Sequence, residues 1–527
     1  MEQRRHRRAA LTAAVVGTAI LYFTWLGRTT PYLSIEEVGA ARQALSLAAT
    51  GRSLSGQFLP LYIGEPQFEA GRDPIWIYIE AGLLKVFPFS ETLVRMLSAL
   101  TGVVNVALMF VLARRLFGSD SAAAAAAAIL ALTPAHFFES RISTSQIGSL
   151  PFVLGWLILL DRFVETRRPR TLFWACAVLG LGIYAHLTAL VMTPIYFLAT
   201  LVAVVRLGGD VRPAITMAMA GYAVGFAPYL LWTVAHPERI AQLLTYYSDN
   251  GYNPDLAQRN FSLVKAVIAR LDVWWNTFNP ERAFFIGDSN YRLSTRQAGY
   301  LLIAAAPFLV VGLANLRRIL SPTMTFIVAV GLLAGPIPAV AAGDFEIKRY
   351  LPMLLFVTIA TAGGVVVAWR SRRLFARAAV AAGACAAAVQ FAVFLHDYHG
   401  DYRARSRFAF GSNQRGAIQQ VLADTHDLSC VFFDYRTALD RYWVMYARAY
   451  GHADVADTSI LVDAESPGFA PPPRCGDAAL VVFEKELRNR AGFSARLQAD
   501  GWRGTTVPEP DGVVVLRVFH WQRGGTQ

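Results

Sequence analysis

Long apolar runs broken by short polar segments recur over the first three-quarters of the chain, near residues 9–27, 92–113, 121–136, 147–163, 171–187, 189–205, 214–234, 299–315, 323–341, 350–369 and 378–395. A helix crossing a hydrocarbon layer needs roughly 20 mostly apolar residues. The pattern therefore predicts about eleven transmembrane helices. After His396 the period shortens: strand-like runs Cys430–Asp434, Ala479–Phe483 and Gly512–Phe519 alternate with helical patterns at Gln414–Leu422, Arg436–Tyr446 and Phe493–Asp500. The expected fold class is thus an all-α polytopic membrane protein with a small C-terminal α/β domain. The expected division is a transmembrane domain over 1–395, with a first outer loop at about 28–91, and an α/β domain over 396–527.

Composition sharpens this picture. The 527 residues are 55% hydrophobic and 16% charged, and the mean hydropathy is positive, which argues against a soluble enzyme. Net charge is +12, but the surplus lies in short clusters between apolar runs without a nucleic-acid motif, so it carries topology and predicts no nucleic-acid partner. With the basic start Arg4-Arg5-His6-Arg7-Arg8 inside, Arg114-Arg115, Arg162 with Arg167–Arg170, Arg206 with Arg212, Arg317-Arg318 and Arg370–Arg377 all fall inside as well. The first apolar run resembles a secretion signal but is long enough to span and lacks a clear small-x-small cleavage site, so it reads as an uncleaved helix. The long connections near 28–91 and 235–298, and the tail, then lie outside. Of the four cysteines, Cys430 and Cys475 sit in the polar tail, where a bridge is possible if that region is outside.

The first loop opens with Ser34-Ile35-Glu36-Glu37, continues through the amphipathic stretch 41–49 to Thr50-Gly51-Arg52, and reaches Arg72-Asp73-Pro74-Ile75-Trp76-Ile77-Tyr78. Adjacent carboxylates at a helix start complement the helix dipole whatever the protein does, and Trp and Tyr suit a membrane interface in any case. Together with Leu59-Pro60-Leu61-Tyr62, Leu93–Leu100 and Ala113–Gly118, these segments resemble the N-terminal third of the protein O-mannosyltransferase-like glycosyltransferases of the C superfamily. Further similar blocks are Trp275–Arg292, Gly335-Pro336-Ile337-Pro338 and Lys348-Arg349-Tyr350-Leu351-Pro352. The resemblance implies a multi-pass protein of the bacterial inner membrane, N-terminus cytoplasmic and C-terminal domain periplasmic. It would be an inverting transferase taking a sugar from a polyprenyl-phosphate donor to a periplasmic acceptor, whether protein, lipid or glycan. The family's acidic pair in this loop is Asp-Glu, its first member the proposed base. Here that position is Glu36, a methylene longer.

Such a transfer needs a carboxylate to deprotonate or orient the acceptor and cations to bind the departing phosphate. The expected catalytic residues are Glu36 and Glu37. The expected phosphate ligands are Arg72, Arg141, Arg292, Lys348 and Arg349, and the expected substrate contacts Asp73, Tyr78 and His136. Basic residues at helix ends also snorkel to lipid, Glu346 is an alternative partner for the Lys348-Arg349 pair, and His136 and His186 read equally as satisfied interfacial histidines. Neither a metal-ligand spacing nor a phosphate-binding Gly-Lys-Ser/Thr loop is present, so no cofactor is expected beyond the lipid-linked donor. Two rival readings remain: a transporter or flippase of a lipid-linked sugar, disfavoured by spans nearly free of charge at mid-depth, and a non-catalytic relative.

Overall fold

The computed structural model describes residues 2–30, 32–65, 68–237, 263–423, 428–434, 439–456, 459–462, 471–472, 475–488 and 492–522. Residues 238–262, much of the second long connection, lie outside the described part, as does the start of the helix expected from Arg436. The chain forms two compact units. One comprises Met1–Leu26, Pro60–Trp76 and Arg95–Gly400; the other comprises Gly27–Leu59, Ile77–Val94 and Asp401–Gln527. This partition differs from a single cut after residue 395, because most of the first loop shares a compact unit with the tail.

In the first unit the apolar runs lie mostly on helix, although 299–302 is not helical and that run enters its α-helix only at Ala306. Among the described residues seven helices are long and apolar enough to cross a membrane: Glu91–Phe117, Ser145–Thr166, Thr188–Arg206, Arg212–Ala235, Pro322–Ala342, Met353–Arg370 and Leu374–His399. The other expected spans are shorter or more charged: Glu2–Phe23 carries the basic cluster, Asp120–Ala131 and Pro169–Tyr184 are short, and Ala306–Ile319 ends on Arg317 and Arg318. Helix Asp120–Ala131 ends before Thr133-Pro134 because proline lacks the N–H that would continue it, and Pro134 starts the next helix. Small residues allow close crossings. A Cβ on Gly312 would lie 1.8 Å from the Ala360 carbonyl oxygen, and one on Gly364 the same distance from that of Phe308. Backbone approach of this kind is how apolar helices gain contact where lipid offers no hydrophobic driving force between them.

The first unit carries a short antiparallel hairpin of β1 (Ile63–Glu65) and β2 (Phe68–Arg72). In the second unit β3 (Leu428–Asp434), β4 (Ser459–Val462), β5 (Asp477–Phe483), β6 (Arg503–Pro508) and β7 (Val514–Trp521) form a five-stranded sheet in the order β4-β3-β5-β7-β6. The β3–β4 and β3–β5 pairs are parallel; β5–β7 and β6–β7 are antiparallel. Side chains alternate between faces, as a pleated strand requires. Val431, Phe433, Ala479, Val481, Leu516 and Val518 join one core, and Cys430, Phe432, Ala478, Leu480, Val482 and Phe519 join the other. The first core also contains Leu33, Val38, Ala41 and Val94 from the first loop and its end, packed with Trp443 and Tyr446. Polar contacts reinforce it: the Tyr442 hydroxyl donates to the Leu33 carbonyl at 3.0 Å, Tyr32 donates to Glu509 at 2.6 Å, and Arg415 pairs with Glu91 at 2.9 Å. On the opposite face Cys430 and Cys475 form a disulfide.

Candidate functional site

In the second unit, Ser34 begins helix Ile35–Thr50 with a reciprocal cap. The Glu37 amide donates to the Ser34 hydroxyl at 3.4 Å, and the Ser34 amide donates to Glu37 Oε2 at 2.7 Å. Ser-x-x-Glu places both groups at the distance this exchange requires. Glu37 is fully buried, and its Oε2 is engaged in the cap. Glu36 stays partly exposed at the same helix start, where the N-terminal dipole favours its charge. The helix stops at Gly51, whose φ of 68° is the left-handed conformation glycine tolerates.

Sequence reasoning passed over Glu80. It lies on helix Pro74–Val86, is 1% exposed, and neither carboxyl oxygen has a hydrogen-bond partner among the described residues. Burial first, and the charge of Glu37 second, push its pKa well above the ordinary carboxylate range. Its neighbour on that helix, Tyr78, is half-buried, and burial raises the pKa of its phenol.

In the first unit, Asp73 accepts a hydrogen bond from the Ser145 hydroxyl and stays partly exposed. Close by in electrostatic reach is Tyr62, whose pKa is raised by burial and then by the charges of Tyr229, Tyr184 and Asp73. Tyr62 packs in an aromatic cradle, with ring centroids 4.7 Å from Trp232, 5.6 Å from Tyr229 and 6.3 Å from Tyr184. The backbone of Arg72 ends a short hairpin strand and pairs with Ile63; its side chain lies outside the described part.

Two expected site residues, His136 and Arg141, are enclosed within the first unit. His136 is fully buried; its Nδ1 meets the Tyr22 hydroxyl at 2.8 Å and its Nε2 the Asn105 amide at 3.4 Å. Arg141 is also fully buried. It donates to the Tyr22 carbonyl at 2.7 Å and to the Tyr398 hydroxyl at 3.2 Å, and lies over the rings of Phe137 and Tyr398. These carbonyl and ring contacts tie helix ends together, while Nη2 of Arg141 is buried with no hydrogen-bond partner among the described residues. His186 is likewise engaged, its Nδ1 2.7 Å from the Thr188 hydroxyl.

The remaining expected cations meet in one pair of loops. Asn290 accepts from the Arg292 amide at 3.0 Å and donates to Glu346 at 2.9 Å. Glu346 in turn pairs with Lys348 at 2.7 Å, and Asp344 lies 3.7 Å from Arg349. Asp288 accepts from the Ile347 amide at 3.0 Å, and Arg282 stacks 3.9 Å over the Phe345 ring. Lys348 and Arg349 are buried against these acids, whereas Arg292 is partly exposed. Burial, then the charge of Glu346, pushes the Asp344 carboxyl up to about 6. Burial likewise raises Asp288. Among the described residues no group of three His, Cys, Asp or Glu side chains could hold a metal ion.

The described residues thus combine apolar helices long enough to cross a membrane, a capped helix carrying paired carboxylates and a small C-terminal sheet. Residues 71–232 match the family described as dolichyl-phosphate-mannose-protein mannosyltransferase. Over 96% of this chain and 97% of the other, the fold is similar to that of ArnT from Cupriavidus metallidurans bound to undecaprenyl phosphate, with 13% identity and a TM-score of 0.57. It is also similar to the oligosaccharyltransferase of Archaeoglobus fulgidus, with 13% identity, 96% of this chain and 74% of that one covered, and a TM-score of 0.53. The archaeal oligosaccharyltransferase AglB from Archaeoglobus fulgidus, in complex with an inhibitory peptide and a dolichol-phosphate, gives a TM-score of 0.54 at 13% identity, covering 97% of this chain and 74% of the other. An uncharacterized protein of Aquifex aeolicus is 28% identical over 165 residues, 31% of this chain and 31% of its own length. The chain thus matches about a third of that relative.

Proposed function

We propose that this protein is an inverting membrane glycosyltransferase that moves a sugar from a polyprenyl-phosphate donor to an acceptor on the outer face of the bacterial inner membrane. The observation that carries the reading is the difference within the acidic pair: Glu37 is buried in the cap, while Glu36 is partly exposed at the same helix start. Glu36 takes the role of base, accepting the acceptor hydroxyl's proton as the sugar–phosphate bond breaks. Arg292 takes the role of phosphate ligand, since a guanidinium stays charged and can chelate phosphate oxygens. Lys348 and Arg349 add positive charge to the same loops. Asp73 and Tyr78 are assigned to substrate contact. The solved relatives captured with undecaprenyl phosphate and with a dolichol-phosphate support a lipid-phosphate donor.

The basic clusters support a cytoplasmic N-terminus, and the Cys430–Cys475 disulfide supports an oxidising compartment for the tail. The test uses the purified protein in lipid with polyprenyl-phosphate sugars (mannose, glucose, galactose, arabinose) and a range of acceptors, reading released polyprenyl phosphate. Glu36→Gln should cut release by at least about a hundredfold with donor still bound, the scale of a lost general base. Release indifferent to that substitution, or absent with every donor, would move the reading to a transporter or a non-catalytic relative.

A further inference from the structure

The turn joining helices Leu150–Thr166 and Pro169–Leu181 carries a basic depression that the proposed reaction does not use. A cavity of about 580 Å³ is lined by Leu159, Arg162, Arg168, Pro169, Arg170, Thr171 and Trp174. Arg162, Arg168 and Arg170 are exposed. The acids nearest in sequence are already occupied: Asp161 and Glu165 are held by Arg115 at 2.8 and 2.6 Å. Among the described residues none of the three lining arginines has a carboxylate partner. Helix Pro169–Leu181 starts with no side-chain cap, so its first amides add their partial positive charge to the same place. One wall is apolar. Trp174 is 60% exposed, and the preceding helix belongs to the membrane-crossing set.

We propose that this depression binds the headgroup of an anionic phospholipid from the leaflet on the basic side of the membrane. Three uncompensated guanidiniums match a phosphodiester, since each can chelate two of its oxygens. Trp174 and Leu159 match the first carbons below the headgroup, the depth at which tryptophan settles. A soluble phosphate has no use for that apolar wall. Basic pockets between spanning helices on this side are suited to anionic lipid. The site stands whatever the transferase does, so its failure and that of the proposed activity are separable.

The test is native mass spectrometry of the full-length protein in neutral detergent, titrated with phosphatidylglycerol or with phosphatidylcholine of identical chains. The wild type should retain phosphatidylglycerol about tenfold more tightly, given the attraction each arginine contributes. The triple variant Arg162→Gln, Arg168→Gln, Arg170→Gln should lose that preference. A control removing equal charge from other basic turns, Arg317→Gln, Arg318→Gln, Arg372→Gln, should keep it. Trp174→Ala should weaken retention of both lipids with all charge intact. The proposal is overturned if the first triple variant binds like the wild type, if the control loses as much, or if free inorganic phosphate at matched ionic strength displaces phosphatidylglycerol from the wild type.

Discussion

Two adjacent glutamates with the same side chain acquire different jobs from their positions in one helical turn. Glu37 stands three residues after Ser34 and closes the cap; Glu36, one residue earlier, cannot reach that amide. Glu37→Ala should therefore cost about 0.5–2 kcal/mol of stability through the lost cap, read as a lowered unfolding midpoint. Glu37→Gln, which can still accept from the Ser34 amide, should retain most sugar transfer. The Asp344 carboxyl, raised to about 6, binds its proton more tightly folded than unfolded, where its value is about 3.9. Its stabilising contribution is complete below about 3.9 and is lost as pH rises through about 6. The wild type should lose stability relative to Asp344→Asn between those limits, measured as the difference in unfolding midpoint across pH.

Among elements, the tightest constraint is backbone contact between helices Ala306–Ile319 and Met353–Arg370. With the Ala360 carbonyl 1.8 Å from where a Cβ would sit, Gly312→Ala forces the two helices apart. That overpacking should cost about 1–3 kcal/mol and lower the unfolding temperature in detergent, whereas Gly17→Ala, with nothing within 4 Å, should be neutral. The strands of the tail follow the same logic in a different geometry. β3, β5 and β7 were legible because their apolar residues run together and are buried on both faces. β6 was not: it is exposed at all positions but Val507, so its strand state comes from pairing with β7 and not from its own pattern. β4, at the opposite edge, is only four residues long.

At the scale of the whole molecule, the first loop and the tail share one core. Leu33, Val38 and Ala41 pack with residues more than 370 positions away, among them Ala417, Trp443 and Tyr446. Truncation after Gly400 would strip that apolar cover from helix Ile35–Thr50. Limited proteolysis of the truncated protein should cut within 27–59 at least about tenfold faster than in the full chain, because an opened segment is cleaved in proportion to its population.

Hydrophobic period alone determined the membrane class, the helical runs and the three main strands of the tail, because burial in lipid or a sheet core selects residues with a spacing that the chain itself displays. The sequence also carried the signal dividing Glu36 from Glu37, in Ser34-x-x-Glu37, which a local capping argument could have read. Only tertiary structure decided the fates of Arg141 and His136, since a cation or imidazole at a helix end looks the same whether it faces lipid or is enclosed by Tyr22 and Tyr398. Likewise it alone revealed the isolated carboxyl of Glu80 and the union of loop and tail. These depend on contacts between segments distant in sequence, and no local pattern records which distant side chains will surround a group and take it out of water.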